Sequence, residues 1–215
     1  AVEAGLFSLD DDIDAALGFD AANWRYPAEP ITARQLLTHT SSLSDNWSVL
    51  DTYYAWGDPV IPLRDAVYDY VSPSGANYGP ANWLPLKPGK VMAYSNIGAG
   101  TAGYLVEGAS GIAFDTWCED EIFGPLGMGR SAWHLSDLYE PDVAHPHVWT
   151  GAGFRVIEHY GYADYPNGLL RTTATDMGRF LASFIEGGVY EGTRILEEDS
   201  VDEMKTIQHG SDQGL

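Results

Sequence analysis

Pro88-Gly89-Lys90-Val91-Met92-Ala93-Tyr94-Ser95-Asn96-Ile97-Gly98-Ala99-Gly100-Thr101-Ala102-Gly103 is the stretch whose reading decides the fold. Pro88-Gly89 marks a turn, because neither residue continues a regular element. Residues 97–111 are apolar and small, with Ala, Gly, Tyr, Leu and Val at helical spacing, and Gly108 or Gly111 closes the run. Between turn and helix sits a polar triplet, Tyr94-Ser95-Asn96. A bare Tyr-x-Asn carries little information; its setting gives it meaning.

Upstream, Thr32 follows Pro30-Ile31 and precedes Ala33-Arg34-Gln35-Leu36-Leu37, so a helix starts there with Gln35 at its third position, as in a capping box. It ends at His39-Thr40-Ser41-Ser42-Leu43. Residues 44–90 are rich in Pro, Gly, Tyr and Trp and read as a long loop region with one helix over 63–71. Near the start, Asp10-Asp11-Asp12 either caps a short helix over 14–17 or sits in a solvated turn.

Downstream, a helix over 114–122 stops at Gly124-Pro125. Residues 148–159 alternate around Gly151-Ala152-Gly153 as a β-hairpin. Residues 172–187 repeat apolar side chains at Met177, Phe180, Leu181 and Phe184, an amphipathic helix, and a short helix follows over 197–204. Helices therefore dominate, and the hairpin has little to pair with. Ala1-Val2-Glu3-Ala4-Gly5 reads as the last turn of a helix, and residues 210–215 as a turn leading into a strand. Both ends read as internal to a longer chain.

The 215 residues suit one domain or one and a half, and a composition 45% hydrophobic and 20% charged is globular. With 31 acidic against 11 basic residues the formal charge is −20, which disfavours nucleic acid and anionic membrane surfaces as partners. Such a surface is read as solubility rather than as adaptation to high salt. No apolar run approaches the ~18 residues of a membrane span. Cys118 is the sole cysteine, so no internal disulfide forms.

In this order the motifs resemble a family. Ile31-Thr32-Ala33-Arg34-Gln35-Leu36-Leu37-Thr38-His39-Thr40-Ser41-Ser42-Leu43 is similar to a segment of serine β-lactamases of the Tyr-x-Asn type and of their penicillin-binding, esterase and D-amino-acid peptidase relatives. Ile122-Phe123-Gly124-Pro125-Leu126-Gly127-Met128 and Asn167-Gly168-Leu169-Leu170-Arg171-Thr172-Thr173-Ala174-Thr175-Asp176-Met177-Gly178-Arg179-Phe180 resemble two later segments. Glu3-Ala4-Gly5-Leu6-Phe7-Ser8-Leu9-Asp10-Asp11-Asp12 is similar to the stretch after that family's nucleophile helix. The resemblance runs from residue 1 to about 205.

It implies an α/β (α+β) fold, a helical domain packed on an antiparallel sheet, of which residues 1–215 form a single partial domain without the nucleophile helix or the C-terminal strands. It implies acyl transfer to a serine followed by release to water, acting on an amide, β-lactam or ester without a cofactor. Tyr94 becomes the catalytic proton acceptor and donor, a role that neighbouring cations sustain. Asn96 becomes the substrate-binding residue. Two of the family's three motifs are absent: no serine has a lysine three places later, and His209-Gly210-Ser211 does not replace the third triplet, whose glycine belongs last. The alternative is a non-catalytic relative that binds a peptide or peptidoglycan-like ligand, or one whose site a second chain completes. The expected partner is a small-molecule or peptide substrate, and an exported or periplasmic location is favoured over the cytoplasm.

Other residues weigh less. His145-Pro146-His147 has a spacing that binds zinc, but without a third ligand nearby it reads as a loop at the cleft, with no metal. His39 is expected to bond its own loop's backbone, and Gly168 to serve backbone geometry. Trp47, Trp56, Trp83, Tyr53 and Tyr54 lie in the irregular region that walls the cleft in this family, as substrate contacts or as packing.

Overall fold

A computed structural model of the chain describes residues 1–210. Its longest helix, α5 (Asn96–Ser110), is the element on which the others assemble. Helices α1 (Asp14–Leu17), α2 (Ala33–Leu37), α4 (Leu63–Val71) and α6 (Phe114–Cys118) pack on it, as does the 3-10 turn Tyr165–Asn167. The small residues of α5 explain how so many segments reach one helix. A Cβ on Gly100 would lie 2.7 Å from Cβ of Asp164, one on Gly103 2.5 Å from Pro166, and one on Gly108 2.4 Å from the carbonyl oxygen of Ala16. Along this seam the glycines admit the Asp164 Cβ, the Pro166 ring and the Ala16 carbonyl where a side chain would otherwise stand. Gly111, left-handed at φ 72°, ends the helix by donating its N–H to Glu107 O.

Local signals predicted most elements. The capping box is present, with Gln35 N–H donating to Thr32 Oγ1 and Thr32 N–H to Gln35 Oε1. α4 buries Leu63, Ala66, Val67, Tyr70 and Val71, the spacing of one helical face. The acidic run does lead into a short helix, α1. Strands β2 (His147–Trp149) and β3 (Phe154–Val156) form the expected hairpin. Helix α8 (Glu198–Lys205) falls within a residue of expectation. Of the turn read over 210–215, all but Gly210 lies outside the described residues.

Three differences stand out. The loop region 44–90 contains α3 (Trp47–Leu50) and β1 (Tyr54–Trp56), and β1 pairs antiparallel with β4 (Tyr160–Tyr162), Tyr54 opposite Tyr162. The helix after residue 114 changes at Glu119 into a π-helical turn (Glu119–Phe123). Its wider winding brings Cys118 and Phe123 towards one side, where both join Leu126 and Met128 in a second, smaller core. Helix α7 (Ala174–Ile185) begins at its Thr173 cap, but Leu181 is 52% exposed and Ile185 75%. Its buried residues include Asp176, whose carboxylate accepts the Arg130 N–H and the Ser131 hydroxyl.

Strands β5 (Val189–Tyr190) and β6 (Thr193–Arg194) close a further hairpin. With eight α-helices and three two-stranded ladders among the described residues, the chain is an α-rich α+β structure. None of these helices is long and apolar enough to cross a membrane.

Candidate active site

The first turn of α5 builds the site. Ser95, extended and buried, is its N-cap and accepts the Gly98 N–H at 3.0 Å. The flanking residues are thereby set at one opening: Tyr94 just before the cap, Asn96 on the first helical turn. Tyr94 is 63% exposed, and its hydroxyl donates to Asn96 Oδ1 at 3.3 Å.

Asp45, which the sequence did not single out, anchors this turn. Its carboxylate accepts the N–H groups of Asn96 (3.1 Å) and Ile97 (3.3 Å), the Ser95 hydroxyl (3.1 Å) and Asn96 Nδ2 (2.6 Å). One acid thus satisfies two orphan amides of α5, opposes the positive end of its dipole and fixes the Asn96 side chain. The buried Tyr70 hydroxyl holds Asp45 from either side, donating to Ser44 O at 2.6 Å and accepting Asn46 N–H at 2.7 Å. Burial pushes the Tyr70 phenol up, so it stays neutral.

The loop over residues 38–42 is equally constrained. Asn23, fully buried, donates to Ser42 Oγ and to the carbonyls of Leu84 and Leu86. His39, left-handed at φ 54°, accepts the Ser95 N–H on Nδ1 at 3.3 Å and lays its ring 4.6 Å from that of Tyr94. Burial lowers its imidazole below the usual value, so the ring at Tyr94 is neutral near pH 7. The expectation that His39 bonds its own loop is corrected: its ring accepts from the backbone of Ser95 at the start of α5.

Beside Asn96 opens a cavity of about 80 Å³, lined by Trp47, Leu50, Tyr54, Tyr162, Asp164 and Asn167. Of the aromatic candidates, Trp47 and Tyr54 reach it. Tyr53 and Trp83 are core residues, and Trp56 is exposed. Asp164 is buried, accepts Asn167 Nδ2–H at 2.6 Å, and is raised by burial to about 6. Gly168 provides space, since a Cβ there would lie 2.8 Å from the Tyr162 hydroxyl. His147 bonds the carbonyl of His145, and no group of three or more metal-ligating side chains occurs among the described residues.

The fold is that of penicillin-binding-protein-like structures. That of a penicillin-binding protein from Bacillus halodurans matches with a TM-score of 0.69, over 99% of this chain and 61% of its own, at 22% identity. The chain belongs to the beta-lactamase family, whose sequence model, described as Beta-lactamase, matches residues 1–214. It is similar to penicillin-binding protein 4 of Amycolatopsis lactamdurans, 28% identical over 205 residues, covering 93% of this chain and 50% of that protein. It is also similar to monacolin J acid methylbutanoyltransferase of Aspergillus terreus, 31% identical over 159 residues, covering 66% and 35%. The chain thus spans half or less of the length of these two relatives.

Proposed function

We propose that the protein is a serine hydrolase that cleaves an amide, β-lactam or ester through an acyl-serine, with Tyr94 and Asn96 as its contribution to the site. The nucleophile comes from a segment other than these 215 residues, in which no serine has a lysine three places on. Tyr94, acting as its phenolate, takes the proton of that serine on attack and, as the phenol so formed, returns it to the leaving group. Asn96, its Nδ2 held by Asp45, is aligned beside the cavity to meet the substrate's amide.

The observation that carries this reading is the exposed Tyr94 hydroxyl joined to Asn96 across a doubly anchored helix start. In the full-length protein, Tyr94→Phe is expected to slow acylation by a chromogenic β-lactam or p-nitrophenyl ester by roughly 100-fold, the scale of losing a general base. Unchanged turnover would remove Tyr94 from the mechanism.

A second reading, a peptide- or peptidoglycan-binding relative that does not turn its ligand over or that needs another chain, rests on the missing Ser-x-x-Lys. Intact mass after treatment with a serine-directed fluorophosphonate separates the two. A single adduct on the full-length protein supports the hydrolase, and none supports the binding protein.

A further inference from the structure

The cavity beside Asn96 has an unusual electrostatic composition. Its one ionisable carboxyl, Asp164, is 3% exposed. The α5 backbone at Gly100 lies against its Cβ, and the Asn167 amide donates to its carboxylate at 2.6 Å. The titratable groups that interact with it are Asp45 before α3, Tyr53 in the turn before β1, Tyr54 on β1, Tyr70 on α4 and Tyr162 on β4. Burial keeps the tyrosines neutral, and none of these groups brings a positive charge. Burial holds Asp164 back from ionising, here to about 6, with the Asp45 carboxylate adding to it and the Asn167 amide opposing it, until an opposite charge arrives. The walls are aromatic: Tyr54 and Tyr162 stand 5.1 Å apart between centroids, and Trp47 completes them. Aromatic faces around a carboxylate are the surroundings in which an ammonium group is most at home.

We propose that this cavity receives a primary ammonium group on the acyl part of the substrate, paired with Asp164 and enclosed by Trp47, Tyr54 and Tyr162. The substrate class is then an amide or ester of an amino acid or other short acid with a free amine. The proposal rests on the hydrolase reading only in placing the cavity on the acyl side of Asn96. Binding is expected to strengthen as pH rises through the value at which Asp164 ionises, because only the carboxylate form pairs with the cation.

The test uses the full-length protein and two matched probes, benzylammonium and its neutral analogue benzyl alcohol, followed by NMR shifts of the Asn96 and Asn167 side-chain amides. Near pH 7 benzylammonium is expected to bind at least about tenfold more tightly than the alcohol. That preference disappears near pH 4, where Asp164 is protonated, and in Asp164→Asn. Should that variant fail to fold, Tyr54→Leu is read instead and weakens the ammonium more than the alcohol. Equal binding of the two probes, or a preference that survives Asp164→Asn, overturns the proposal. Turnover of alanine p-nitroanilide against its N-acetyl derivative then separates the two readings. Hydrolysis of both with no preference for the free amine defeats the cation site and leaves the hydrolase standing. Ammonium selectivity without any turnover does the reverse.

Discussion

Two carboxylates govern the opening of α5, and they behave oppositely. Asp45 is surrounded by donors and serves as a fixed anion at a helix start. Asp164 has one side-chain donor, the Asn167 amide, and burial raises it to about 6 from an ordinary 3.8. A raised carboxyl costs nothing below the unfolded value, and its penalty grows as pH climbs from there to the folded one. Asp164→Asn removes that penalty while keeping an acceptor for Asn167. Its stability relative to the parent is therefore expected to improve between pH 4 and pH 7 by on the order of 3 kcal/mol, following from a shift of about two units. Denaturant titrations at both pH values measure it; a pH-independent difference would mean that Asp164 is ionised throughout. Neither acid was legible in the sequence. They are two among 31, and Asp45 meets Ser95 across 50 positions, so no local pattern marks either. Tyr94 and Asn96 were legible because a turn and a small-residue helix frame them.

At the scale of elements, α5 works through what it lacks. Gly103 admits Pro166, and that contact helps seat residues 164–167, which bring Asp164 and Asn167 beside Asn96. Gly103→Ala would force a Cβ to 2.5 Å from the proline ring, and overpacking of this kind costs about 1–3 kcal/mol. The variant is expected to lose stability in that range by chemical denaturation and to lower ammonium affinity together with it; unaltered stability would mean that the 3-10 turn yields easily. Elements written by short-range rules, such as the α2 capping box, the α4 face and the β2–β3 hairpin, were read correctly. β1 escaped because three residues make no alternation, and its partner β4 lies across the chain. The π-turn escaped because it arises from a demand of packing, the joint burial of Cys118 and Phe123, which local propensity does not record.

For the molecule as a whole, charge is the dominant asymmetry. Arg34 grips Asp10 through two nitrogens and reaches Glu203 at 2.6 Å, joining the start of α2 to α8. Most of the remaining ion pairs are exposed, and pairs of that kind are worth about 0–1 kcal/mol each. Against them stands the self-repulsion of a formal −20. Repulsion should win: raising sodium chloride from about 0.05 to 0.5 M is expected to lift the melting temperature by roughly 3 °C or more, since salt screens long-range repulsion before close pairs. A falling melting temperature would put the Arg34 network ahead of the net charge. The glycine seam of α5 has a consequence for descent. The frame of the cavity is seated on that seam, through Asp164 and Pro166, while Trp47 and Tyr54 stand beside it half-exposed rather than wedged into the core. A lineage can therefore repaint the lining and change its diet one residue at a time while the scaffold is inherited intact.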